Sequence, residues 1–512
     1  MRRILLTLLG LFVIGWFEFT IYPGHTYLAS TSQLYVSILQ KLSAPGYLTR
    51  DMVATHPNVT YTAYDEVTLA LAQLGRCDFE VALAVQHLFC RMAGTLGILF
   101  IARSTGLSNW KSLVASAMVG LGTYLNDLNL HVMDTEAVPE ALALGLVLAA
   151  IGFLARVRPL LAGFFGGMAL IYSPIIAAPF WITMLVAFTS DKRARRLGRP
   201  MLPILLIFVL LLANLAQLQP AIGSGFSLRD VLPVLTTHIE KVRIPELWVS
   251  LWDRTFIHLF IGLLVIGIAA TTRIWPELNG AMRWCFTFIP LCGVLSIPVS
   301  FLLLDELHLA AVPRVEPLEM LVVAAAIIWI ACVIAGLRSI RGPRKLETIA
   351  WLAVSIFFAI AGAKNWHRTG LDTDTRQLAD WAENRTWGSS VFLFPDAGRS
   401  SKPGAFRAQS RRGLWVDWGS GLILKSYPQL APEWWMRWKR CAANLPTSDD
   451  LAYDLTQPVD YYVLRRSHVF QASSSSGVKP IPAVYVNNSY VVYDANDLRA
   501  ASGDVRVADS LQ

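Results

Sequence analysis

The sequence predicts an α-helical polytopic membrane protein of about eleven transmembrane helices, carrying one water-soluble α/β domain toward its C-terminal end. Three observations carry that prediction. Of the 512 residues, 54% are hydrophobic and 16% charged, whereas ordinary soluble domains are about 25% charged. The charge is segregated, because residues 365–512 are mixed and polar while long apolar runs dominate what precedes them. Basic residues also recur on alternate connections, as they do in cytoplasmic loops.

Apolar stretches suited to a hydrocarbon core of about 30 Å, at about 20 residues each, fall near 4–22, 84–103, 112–127, 139–156, 201–217, 255–272, 282–303, 317–337 and 346–364. The uncharged segment from Pro159 to Thr189 is too long for one untilted span, and Pro174 and Pro179 break it. Charge placement decides how to count it. With two crossings there, Arg2 and Arg3, Arg103 and Lys111, Arg156 and Arg158, the run from Lys192 to Arg199, Arg273 and Arg283, and Arg338 to Lys345 share one side. A single crossing would place DKRARRLGR outside and invert every later loop. Eleven spans follow, with a cytoplasmic N-terminus and an outer C-terminal domain. The expected division is a transmembrane domain at 1–364 and an extracytoplasmic domain at 365–512, with outer loops near 23–83, 128–138, 218–254 and 304–316. No A-x-A pair closely follows the MRR start and its apolar run, so the first span is expected to stay uncleaved.

The six cysteines show no C-x-x-C or Cys/His metal spacing, and Cys77 and Cys441 are the pair able to meet in an oxidising compartment. A net charge of +8 is accounted for by inner-leaflet anchoring and a basic tail domain, so no nucleic-acid partner is called for.

The outer loops carry the candidate chemistry. In SQLYVSILQKL, Leu34, Ile38 and Leu42 recur at i, i+4 and i+8, which predicts a helix lying on the outer membrane surface. Asp51, Asp65 and Glu66 follow in the same loop. A second acidic cluster, NDLNLHVMDTEAVPEAL, holds Asp127, His131, Asp134 and Glu136. Two carboxylate-bearing loops on one face can supply a general base and a cation ligand for a transfer reaction at the lipid surface. The competing account is that acidic residues merely populate exported loops, and that Asp134 and Glu136 cap the helix starting at PEAL.

Inside the second span, His87 and Arg91 stand one turn apart. An intramembrane Arg costs about 2.5–3.5 kcal/mol on insertion scales, so Arg91 must face a polar cavity, an acidic partner or a lipid phosphate unless it snorkels. His238, Lys241 and Arg243 in THIEKVRIPELW, and Arg314 in HLAAVPRVEPLEM, lie just outside later spans, where basic groups can pair with phosphate.

In the tail, RQLADWAENRT reads as helix and SSVFLFP, GLWVDW, DYYVLRR, PAVYVNN and SYVVYDA as strands, the last two separated at Asn487 and Asn488. The stretch PEWWMRWKR predicts an amphipathic helix resting its indoles in the headgroup zone, in preference to a platform for sugar rings. No nucleophile elbow, P-loop or HExxH motif is present.

A basic N-terminus with one span, a long first outer loop, an acidic second outer loop, Pro-broken helices mid-chain and an outer C-terminal domain resemble the C-type (GT-C) membrane glycosyltransferases. The strings STSQLYVSILQKLSAPGYLTRDMVATHP, AVPEALALGLVLAAIGFLARVRPLLAGFFGGMALIYSP, VPRVEPLEML and RQLADWAENRTWGSSVFLFP with FRAQSRRGLWVDWGSG look like a bacterial group of GT-C-like membrane proteins, and the resemblance covers most of the chain. It implies a location in the bacterial inner membrane with the tail domain periplasmic. It further implies a polyprenyl-phosphate-linked sugar as donor, a glycan or lipid acceptor at the outer face, and inversion at the sugar with an acidic residue of the first loop as base. Nothing acidic stands between Glu18 and Asp51, and position 31 is Thr. Either Glu18 or Asp51 takes that role, or the carboxylate comes from Asp134 or Glu136, or the fold is kept without the chemistry. Arg91, His238, Arg243 and Arg314 are the candidates for the donor phosphate. A divalent cation is the cofactor considered, without an assigned ligand set. The rivals are a transporter or flippase for a lipid-linked saccharide, weakened because the spans beyond Arg91 are nearly free of ionisable groups, and a catalytically silent scaffold that binds glycan or a partner.

Alkaline phosphatase, which is active only after export, is expected to be active when fused after residue 512. Activity there of a cytosolic reporter alone would reverse the predicted topology.

Overall fold

Helical periodicity builds the first of two units into which the computed structural model divides, comprising residues 1–25, 61–231 and 244–368. The structure describes residues 2–56, 62–122, 124–125, 130–131, 134–218, 230–340, 372–474, 477–501 and 505–509. Its apolar helices are Arg2–Thr20, Phe79–Ser104, Asn109–Gly120, Pro139–Ala155, Pro159–Tyr172, Pro174–Ser190, Met201–Leu218, Arg254–Ile274, Gly280–Ser300 and Met320–Ser339. Every expected span before residue 346 falls on one of them. The last expected span, 346–364, and the expected domain boundary at 364/365 lie outside the described residues. The expected pair at 159–189 is present. Ser173 ends its first helix and accepts the Ile176 N–H at 3.4 Å to cap the second.

Length separates these helices into two kinds. Among the described residues, Phe79–Ser104, Arg254–Glu277, Gly280–Glu306 and Val312–Ser339 are long and apolar enough to cross a membrane. A fifth is added if Lys192–Gly198 and Met201–Asn214, bent by 56°, form one span. Leu5–Thr20, Pro139–Ala155, Pro159–Tyr172 and Pro174–Ser190 are apolar but shorter. At 1.5 Å per residue a helix of 17 residues reaches about 26 Å, short of a core of about 30 Å. The expectation of eleven full spans therefore exceeds what length alone supports.

Close backbone approach holds the unit together. A Cβ added at Gly97 would meet the Leu148 carbonyl oxygen at 2.2 Å, and one at Gly152 would meet Gly97 Cα at 2.4 Å. Only glycine lets the Phe79–Ser104 and Pro139–Ala155 helices come so near, and in lipid such packing substitutes for a missing hydrophobic drive. The Met320–Ser339 helix is buried on every face, as an all-round apolar helix must be.

The second unit takes residues 26–60, 232–243 and 369–512, so much of the loop expected at 23–83 groups with the C-terminal residues. Its main sheet has five strands in the order Gly413–Leu414, Val391–Leu393, Tyr461–Arg465, Tyr490–Asp494 and Tyr485–Val486. The first three are parallel and the last two pair antiparallel, with Val463 opposite Val492. Leu378, Phe392, Phe394, Phe406, Leu414, Val463 and Val492 form the core beneath it. A smaller antiparallel sheet joins Val505–Asp509, His468–Ser474 and Gly477–Pro480.

Two expected membrane-surface helices are core elements instead. In Ser32–Ser43 the residues from Ser32 to Gln40 are all buried, and Arg407 Nε donates to Ser37 Oγ at 3.1 Å while Gln40 donates to the Ala408 carbonyl. In Ala431–Cys441, Trp434 and Trp438 are buried and stack at 5.9 Å, and Trp434 Nε1 donates to the Asp417 carbonyl at 3.2 Å. A greasy stripe reads the same whether it faces lipid or protein. In both cases the protein covers it.

Asp51 is a brace of this unit. Its Oδ1 accepts the N–H groups of Val53 and Ala54 at 2.9 and 3.0 Å, and Oδ2 accepts that of Leu414 at 2.9 Å. Arg407 Nη1 lies 3.8 Å from the same oxygen and 3.1 Å from Asp417 Oδ1, with all three side chains at most 1% exposed. Removing one partner of a buried charge pair costs about 3–5 kcal/mol. Asp51→Ala is accordingly expected to lower the thermal midpoint followed by tryptophan emission, and an unchanged midpoint would refute the bracing role.

Candidate functional site

In the first unit a cluster forms where the Arg2–Thr20 and Phe79–Ser104 helices meet the segment leading into Pro139–Ala155. Glu18 lies near the end of the first helix with a buried carboxylate, and Thr95 Oγ1 donates to its Oε2 at 3.1 Å. The helix Asn109–Gly120 leaves room for that carboxylate by ending in glycine, since a Cβ at Gly120 would fall 1.6 Å from Glu18 Oε1. Arg91 is buried and donates through Nη1 to the Glu18 carbonyl at 2.7 Å and through Nη2 to the Asp134 carbonyl. Asp134 Oδ1 accepts the Glu136 N–H at 3.0 Å, an Asx turn that delivers the chain toward Pro139.

Thus Glu18, Arg91, Asp134 and Glu136 come together from three stretches of sequence. Glu136 is buried, whereas Asp134 is half-buried and the more accessible carboxylate. The intramembrane cation has found protein acceptors, as its insertion cost requires. Beside it, His25 Nδ1 and His87 Nδ1 are 2.9 Å apart, and Phe19 stacks on His25 at 5.0 Å. Burial, with Arg91 nearby, pushes His25 down to about 4, so it is neutral at physiological pH. Arg314 belongs to the same unit, half-buried on the short helix Val312–Val315. Asp127 lies outside the described residues.

The remaining candidates belong to the second unit. Besides Asp51, these are His238 and Arg243 on the helix Val234–Arg243. Arg243 Nε donates to the Trp418 carbonyl at 2.9 Å, and its guanidinium lies 4.8 Å from the Trp418 ring centroid. Arg399 lies against the same ring, also at 4.8 Å. His238 is exposed and meets Trp435 edge-on at 6.3 Å. Sequence reasoning missed Thr95, Gly120, Arg399 and Trp418. Thr95 alone carried a signal, standing one turn after Arg91 on the same helix face.

Among the described residues no three His, Cys, Asp or Glu side chains converge as metal ligands. All six cysteines are free thiols, with Cys77 in the first unit and Cys441 in the second.

Neither a family model nor a curated protein matches the sequence. Among solved structures the chain is similar to the oligosaccharyltransferase of Archaeoglobus fulgidus in its apo form, at 10% identity over 95% of this chain and 76% of that one, with a TM-score of 0.43. It is similar to the mycobacterial arabinofuranosyltransferase AftD at 12% identity, 97% and 41% coverage and a TM-score of 0.46. A third is ArnT from Cupriavidus metallidurans bound to undecaprenyl phosphate, at 12% identity, 98% and 99% coverage and a TM-score of 0.40.

Glu240 shares the helix of His238 and Arg243. It is fully buried, and neither carboxylate oxygen has a hydrogen-bond partner among the described residues. Burial pushes it up from an ordinary 4.5 to about 8. A raised carboxylate favours folding while protonated. Its contribution is complete below pH 4.5 and is lost as pH rises through 8. The thermal midpoint of the native protein is therefore expected to fall across this range relative to that of Glu240→Gln, which has nothing to deprotonate. Parallel midpoint curves for the two proteins would contradict the assignment.

Proposed function

We propose that this chain is a membrane glycosyltransferase that takes a sugar from a polyprenyl-phosphate donor at the outer face of the bacterial inner membrane. The observation that carries the proposal is the Arg91 clamp, which gathers Glu18, Asp134 and Glu136 at one end of a helix cluster. The sequence resemblance to GT-C enzymes gives that cluster its chemistry. A general base must reach the proton it abstracts, and Asp134 is the half-exposed carboxylate of the set. In the proposed step the acceptor hydroxyl loses its proton to Asp134 as its oxygen bonds to the anomeric carbon. The bond from that carbon to the phosphate oxygen breaks on the opposite face, its electron pair leaves with the polyprenyl phosphate, and the configuration inverts.

Arg91, seated on the Glu18 main-chain carbonyl, holds the loop that presents Asp134, and the main-chain N–H of Glu136 donates to the Asp134 carboxylate. The charge of the leaving phosphate is assigned to Arg314, which lies in the same unit. Asp51, His238 and Arg243 belong to the second unit and have no part in this step.

Transfer from a radiolabelled polyprenyl-phosphate sugar in native membranes tests the proposal. Loss of a positioned base costs about 10²–10⁴ in rate, so Asp134→Asn, whose amide oxygen can still accept the Glu136 N–H, is expected to lose transfer by that factor with its thermal midpoint intact. Full transfer by Asp134→Asn would overturn it. Mass spectrometry of copurified lipids is expected to recover a polyprenyl phosphate sugar.

A further inference from the structure

The main sheet of the second unit carries a feature that the proposed transfer does not use. Gly413–Leu414 and Tyr461–Arg465 flank Val391–Leu393 on opposite sides, and all three run parallel. The connection leaving Leu393 leads through the helix Lys402–Ser410 to Gly413, whereas the one leaving Arg465 leads away to the smaller sheet. Open α/β sheets lodge ligands at the carboxyl ends of parallel strands, where successive connections part in this way. A cleft of about 410 Å³ lies at that point, lined among others by Asp396, Ser400, Lys402, Arg465, Arg466 and Tyr490. Small-molecule sites occupy about 300–1,000 Å³.

The lining selects for negative charge. Arg465 and Arg466 are both exposed at the end of their strand, and Arg466 Nη1 donates to a main-chain acceptor, the Asn487 carbonyl at 3.3 Å. Lys402 adds a third cation, partly offset by its ion pair with Asp372 at 2.5 Å. Among the described lining residues the carboxylate is that of Asp396, which is already engaged, accepting the Arg465 N–H at 2.8 Å and facing His468 Nδ1 at 3.0 Å. The helix Lys402–Ser410 opens at the cleft with no acidic residue in its own first turn, so its positive dipole end adds to the attraction for an anion. Ser400, Ser467 and Asn488 supply hydroxyl and amide groups, and the Tyr490 ring, with Lys402 Nζ 6.0 Å from its centroid, forms a wall. Bare phosphate would leave most of this volume empty.

We propose that the cleft binds a small anionic saccharide, a sugar bearing a phosphate or a carboxylate, with Arg465 and Arg466 on the charge and Ser400, Ser467 and Asn488 on the ring hydroxyls. This second site stands apart from the transfer reaction and does not depend on it. Calorimetric titration of the full chain in detergent tests it with glucose 6-phosphate, glucuronate, glucose and inorganic phosphate. At least one of the two anionic sugars is expected to bind at least tenfold more tightly than glucose and inorganic phosphate, and whichever of the two binds better identifies the charged group. The double variant Arg465→Ala, Arg466→Ala is expected to lose at least tenfold in affinity with the unliganded thermal midpoint unmoved, and Arg465→Glu to abolish binding. Equal binding of glucose, no binding of either anionic sugar, or full affinity in the double variant would overturn the proposal. No sugar donor or acceptor is present in the titration, so its failure would leave the transferase assignment standing.

Discussion

A guanidinium placed within an apolar helix cluster must be answered by acceptors, and the first unit is organised around that requirement at Arg91. Insertion of such a charge costs about 2.5–3.5 kcal/mol. Two hydrogen bonds from a charged donor return about 1.5–3 kcal/mol each, so the carbonyls of Glu18 and Asp134 are sufficient to hold it. Because these acceptors are main chain, the cation fixes the path of the backbone. It fastens the end of one helix to the approach of another, and the carboxylates nearby take their places from that path.

The second unit uses a related device. Arg407 bridges Ser37, Asp51 and Asp417, residues far apart in sequence and all buried. Both units therefore rely on one long basic side chain to register segments that hydrophobic packing alone would leave free to slide.

How much of this was legible varied with the physics involved. Helix positions were readable because apolar length is a one-dimensional property. Helix ends were less so: Asn109–Gly120 stops at the G-L-G of 120–122, where Gly122 adopts φ +69°, a left-handed stop that a hydropathy window runs straight through. The strands around Phe392, Val463 and Val492 were readable from their β-branched and aromatic runs. The smaller sheet was hidden by the serine run at 473–476, which composition marks as low complexity although His468–Ser474 is a strand. The surroundings of Asp51, Glu18 and Trp434 were invisible, since each is set by partners distant in sequence. Nothing in the neighbourhood of Asp51 announces that Leu414 will occupy its second oxygen.

The placement of residues 26–60 in the second unit bears on how the chain is made. Ribosomes deliver the segment containing Ser32–Ser43 several hundred residues before the segments that cover it, so this helix waits with its apolar stripe unshielded while the intervening spans are threaded into the bilayer. Completion of the unit is a late event in biogenesis, and a nascent chain interrupted before the final strands leaves an adhesive helix uncovered.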